Sequence, residues 1–138
     1  MFEAVQPVKL TPLAEWVARG DGGRFVVKRL RDAASVLTPQ RLKGMIDAGQ
    51  RFVGRDYDLY FEWSDDRVYC SELVWKVFEE GAGIELGELE SMADFDLSHP
   101  LVREKIRERF GDDVPLDEVV ISPAAIFNAS NLITVYEN

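Results

Sequence analysis

The stretch Tyr69-Cys70-Ser71-Glu72-Leu73-Val74-Trp75-Lys76 sets the chain's one cysteine at the start of a helical pattern. A thiol in a first helical turn faces unpaired N–H groups and the positive end of the helix dipole. Both favour the thiolate, the nucleophilic form. The same amides can donate to an oxyanion during acyl transfer. A plainer reading fits the pattern too. Cys70, Leu73, Val74, Val77 and Phe78 share one stripe, and a cysteine on an apolar stripe is commonly a small core residue. A nucleophilic cysteine also needs a base. The one histidine, His99, stands in Leu97-Ser98-His99-Pro100, a context suited to structure or solvent more than to catalysis.

Outward from Cys70, the helix is expected to run from Val68 or Tyr69 to Glu80 and to end at Gly81 and Gly83. Thr11-Pro12 and Thr38-Pro39 are start signals, because threonine caps free N–H groups and proline suits the first helical position. They predict helices over Leu13–Arg19 and from Pro39 to about Ala48, the second closed by Gly49. Ser98 and Pro100 open another, through Phe110 to Gly111. Phe2 to Val8, Arg24 to Leu30, Val119 to Ile121 and Leu132 to Tyr136 read as strands, and Gly54 to Asp66 as an ordered aromatic and acidic loop. With no repeat or linker, the 138 residues make a single α+β domain, 1–138.

The composition is that of a globular protein, 46% hydrophobic and 30% charged. A net charge of -9 argues against nucleic acid as a partner, since phosphate neutralisation needs clustered Lys and Arg. One cysteine excludes an intrachain disulfide and a Cys-rich zinc site. No spacing resembles a calcium loop. Glu62 with Asp65 and Asp66 reads as a solvated turn. No apolar run reaches the roughly 18 residues of a membrane span, and no secretory leader is visible, which leaves the cytoplasm as the default compartment.

The cysteine motif resembles that of the YiiX/YaeF-like permuted papain-like amidases, relatives of the NlpC-type cell-wall peptidases. The likeness extends along the chain in order. Glu3-Ala4-Val5-Gln6-Pro7-Val8 with Thr11-Pro12-Leu13 and Trp16 is similar to the segment before the family's first outer helix. Val26-Val27-Lys28-Arg29-Leu30 is similar to the strand that follows. Tyr57-Asp58 with Phe61 and Trp63 is similar to the loop before the cysteine, and Val120 to Phe127 to the C-terminal segment.

The resemblance implies a permuted papain-like fold, an antiparallel sheet packed against helices. It implies a thiol hydrolase of amide bonds in peptides or peptidoglycan-like substrates, without metal or organic cofactor. Cys70 would be the nucleophile and Glu3 the residue orienting a histidine base, with Tyr57, Tyr69 and Ser71 as possible cleft or oxyanion contributors. The family's histidine precedes its acid by some fifteen residues, which falls before Met1. The chain is thus expected to begin inside the family's domain, with N-terminal strands missing. The Glu3 strand would then carry an open edge prone to self-association, unless Leu132 to Tyr136 covers it. The alternative is a catalytically inactive remnant that binds a ligand or partner through the old cleft. Transfer of the acyl group to an acceptor other than water is a third reading.

Overall fold

The computed structural model describes residues 1–98 and 100–138. Strand β1 (Phe2–Glu3) pairs antiparallel with β2 (Lys9–Leu10), and helix α1 (Leu13–Ala18) follows. Strand β3 (Val26–Leu30) leads to the short α2 (Ala33–Val36) and the long α3 (Pro39–Phe52). Strands β4 (Asp56–Tyr57) and β5 (Arg67–Val68) pair in parallel just before α4 (Cys70–Ala82). Strand β6 (Glu90–Ser91), α5 (Pro100–Phe110), β7 (Val119–Val120), α6 (Pro123–Phe127) and β8 (Leu132–Glu137) complete the α+β fold.

The strands pair two by two rather than as the single antiparallel sheet expected. Among the described residues β6 pairs with β7 and β3 with β8, both antiparallel. Six of the eight strands among the described residues are two residues long, too short to support a continuous ladder. The C-terminal strand, offered by the sequence as a cover for the Glu3 strand, lies against β3 instead, with Val26 opposite Glu137 and Leu30 opposite Leu132.

Thr38 opens α3 as expected, its hydroxyl accepting from the Arg41 N–H. The helix does not stop at Gly49 but continues to Phe52. Gly49 is there for closeness: a Cβ at this position would meet the Phe2 ring at 2.5 Å. Likewise α4 runs through Gly81 and ends at Gly83, whose φ of 65° makes the left-handed cap. The 54–66 segment read as loop contains β4, because Tyr57 aligns with Val68.

Ala4, Val8, Phe52, Val68 and Leu73 form the buried apolar cluster, with Phe2, Tyr57 and Val77 packed on it. This core clamps the first turns of α4 between β5 and the N-terminal segment. The apolar stripe expected on α4 is only half realised. Leu73 is buried, but Val74 and Cys70 are exposed, and the helix buries Ser71, Glu72 and Lys76.

Candidate active site

Cys70 is the first residue of α4, preceded by Tyr69 as N-cap in extended conformation. Its free thiol is exposed and opens into a cavity of about 490 Å³. Four stretches line this space: Tyr57, Phe61, Tyr69, Cys70 and Ser71; then Met92, Phe95 and Leu97; then Val102, Lys105, Ile106, Arg109 and Phe110 of α5; then Val120, Ile121, Ser122 and Pro123. The lining is overwhelmingly apolar. Its polar groups cluster at the cysteine end and on α5.

Ile121 fixes the start of α4. The Tyr69 hydroxyl accepts from the Ile121 N–H at 3.0 Å, and the Ser71 hydroxyl donates to the Ile121 carbonyl at 2.7 Å. Both side chains border the cavity, but these hydroxyls hold the wall in place. Burial raises the Tyr69 pKa above its ordinary value, so the phenol stays protonated. Tyr57 lines the same cavity as Cys70. Burial first, then the neighbouring thiol, raise the Tyr57 pKa, while Arg109 acts to lower it.

Behind the cysteine lies a charged network that sequence reasoning missed. Glu72 is fully buried, accepts from the Tyr69 N–H at 3.2 Å, and pairs with Lys76 at 2.9 Å. Lys76, itself buried, also reaches Asp65 at 2.7 Å and the Ser64 carbonyl. Burial pushes the Glu72 carboxyl up to about 7, against the lowering pull of Lys76 and the Tyr69 N–H. For Lys76, burial acts downward, but the bonds to Asp65 and Glu72 prevail and hold its pKa above the ordinary value. Asp58 is buried as well; one carboxylate oxygen accepts from the Tyr60 N–H at 2.8 Å. A Glu–Lys pair four residues apart ordinarily marks a solvated face. Nothing in the sequence shows that this one is turned inward.

Glu3 sits on β1, opposite Lys9 of β2. Its carboxylate accepts from the Thr11 hydroxyl at 2.6 Å and from Arg19 at 2.8 Å on both oxygens. Burial acts to raise its pKa, but these two partners bring it below the ordinary value. It is not among the residues lining the cavity at Cys70. Its neighbours Phe2 and Ala4 pack in the cluster that includes Leu73 of α4. His99 lies outside the described residues. The acidic turn is solvent-exposed as expected, and two of its acids are also paired, Asp65 with Lys76 and Glu62 with Arg67 at 3.1 Å.

The structure can be set beside known proteins. The solved structure of a metalloprotein YiiX from Escherichia coli O157:H7 superposes with a TM-score of 0.92 and 45% identity, over 99% of this chain and 74% of that one. The uncharacterized protein YiiX of Escherichia coli (strain K12) is 47% identical over 135 residues, 98% of this chain. The chain spans 65% of the length of that curated relative. A family model described as permuted papain-like amidase enzyme, YaeF/YiiX, C92 family, matches residues 1–136. With nearly every residue inside that match, and the same fold in the solved relative, the chain belongs to the permuted papain-like amidase family of YaeF and YiiX.

Proposed function

We propose that this chain carries the nucleophile of a cysteine-dependent amidase. The observation that carries the reading is the exposed Cys70 thiol on the first residue of α4, opening into an apolar cavity that Tyr57 also lines. Family membership supports amides as the substrate class. The lining suits an amide whose acyl part is apolar better than a sugar-bearing peptidoglycan fragment.

In this reading the Cys70 sulfur attacks the amide carbonyl carbon and forms a C–S bond. Negative charge develops on the carbonyl oxygen, where first-turn N–H groups of α4 can donate to it. The C–N bond then breaks, the amine leaves with a proton, and water hydrolyses the thioester. The proton is carried by the histidine that the family resemblance puts ahead of Met1. Glu3 is proposed to orient that imidazole; Thr11 and Arg19 hold its carboxylate ionised and fixed, as the role requires. Tyr57 is proposed to position the thiol.

The YiiX relative from strain O157:H7 is described as a metalloprotein. Among the described residues here, no three His, Cys, Asp or Glu side chains gather as a ligand set, and the acids nearest α4 are paired with Lys76. The donor set does not fit a metal, and no step is routed through one.

Treatment of the chain with the p-nitrophenyl ester of decanoic acid, followed by peptide mass spectrometry, tests the proposal. A decanoyl thioester on Cys70, absent in Cys70→Ala, is expected. Acylation confined to lysines, or unchanged in Cys70→Ala, would overturn the nucleophile assignment and favour a binding-only domain.

A further inference from the structure

Arg109 is the feature of the cavity that this chemistry does not use. It sits in the last turn of α5, half-buried, and lines the same space as Cys70. Its guanidinium lies over the Phe61 ring, 4.8 Å from the centroid. Phe61 is in turn packed edge-on against Tyr69 at 5.1 Å. Phe61 holds a left-handed backbone with φ 58°, a conformation bulky residues avoid unless their surroundings impose it. The result is a cation fixed over a fixed ring, in the cavity that Tyr57 and Cys70 also line.

A cation near a helix C-terminus has an ordinary explanation, interaction with the dipole. Arg107 occupies the same last turn and meets that need from the exposed side of the helix. Lys105, the other cation lining the cavity, already pairs with Glu108 at 2.6 Å. Among the described residues Arg109 has no hydrogen bond and no ion pair. A half-buried guanidinium in a largely apolar pocket is satisfied best by an anion that enters the pocket, and its planar donors match a carboxylate on two oxygens.

We propose that Arg109 is the specificity residue of the cavity and takes an acidic group of the substrate. The substrate class is then an amide with an apolar acyl chain and a carboxylate on the amine side, as in an N-acyl amino acid. The acyl chain fills the apolar space between Phe95 and Ile106, and the carboxylate lies at Arg109, beside the carbonyl presented to Cys70. The orientation across the scissile bond rests on Cys70 as the nucleophile; the anion preference does not.

Calorimetric binding of N-decanoylglycine and its neutral counterpart N-decanoylglycinamide to the full chain in the Cys70→Ala background tests this without turnover. The acid is expected to bind about tenfold more tightly than the amide, the scale of one charge-assisted contact. Arg109→Gln is expected to erase that preference by weakening the acid, with a cooperative urea transition reporting that the fold is intact. Arg109→Lys should retain part of it, and Lys105→Gln all of it. Equal affinities for acid and amide, a preference that survives Arg109→Gln, or no binding of either compound would overturn the proposal. The ester-acylation experiment is independent of this outcome: failure there removes Cys70 as nucleophile and leaves the anion preference standing, and the reverse result removes Arg109 alone.

Discussion

Tyr69 and Ser71 flank the cysteine, and each is joined to Ile121 by a buried hydrogen bond. Their contribution is to fix where the first turn of α4 sits relative to the β7 wall. Removing the Tyr69 hydroxyl leaves the Ile121 N–H buried without an acceptor. Such a group costs about 1–3 kcal/mol. Tyr69→Phe is therefore expected to lower stability by about that amount in urea denaturation, with the rest of the ring's packing against Phe61 preserved. Ile121 is 1% exposed, so little water reaches the freed N–H.

At the scale of elements, α4 is held by its crossing with α3 and by the ion network beneath it. The crossing is close because two glycines meet there. A Cβ on Gly81 would lie 2.5 Å from the Met45 Cα, and one on Gly44 would strike the Gly81 carbonyl. In a free helix Gly→Ala gains about 0.5–1 kcal/mol. Here the obstacle is backbone, which cannot step aside, and overpacking costs about 1–3 kcal/mol. Gly81→Ala is expected to lower Tm, against the usual sign. The network gives the larger effect. Lys76→Met leaves Glu72 buried beside Asp58 without its cation, and breaking a buried pair in this way costs about 3–5 kcal/mol. Glu72→Gln combined with Lys76→Met should recover much of that loss in the same chemical denaturation, because no charge then remains to be paired.

For the whole molecule, the buried carboxylates set how stability changes with pH. Glu72 holds its proton up to about 7 in the folded state, against an ordinary value of 4.5. The native state thus binds more protons than the unfolded chain between those values, and stability falls as pH rises through them. Glu3 and Asp65 act oppositely. Their pKa values are lowered on folding, so their contribution is present above the ordinary carboxylate range and is lost as pH falls through their folded values. The two trends together place maximum stability at about pH 5. Glu72→Gln should flatten the decline on the alkaline side and leave the acid limb unchanged, as thermal melts from pH 3 to 8 would show. A maximum at neutral pH, unaltered by Glu72→Gln, would contradict this account.

The sequence by itself determined the local events: the Thr38-Pro39 start of α3, the cysteine at the first turn of α4, the strand over Val26–Leu30 and the α+β class. These follow from dihedral preferences, capping and periodicity, which act between residues a few positions apart. The ordered motifs along the chain also carried its family. Tertiary structure alone decided the rest. It continued α3 through Gly49 because the Phe2 ring needed the space, and α4 through Gly81 because α3 needed to approach. It turned Glu72 and Lys76 inward, where a pattern of charges four apart reads as surface. It also brought Tyr57 and Arg109, 52 residues apart in the chain, to one cavity with Cys70. Burial and long-range approach depend on how elements pack, and a local pattern of residue types does not contain that information.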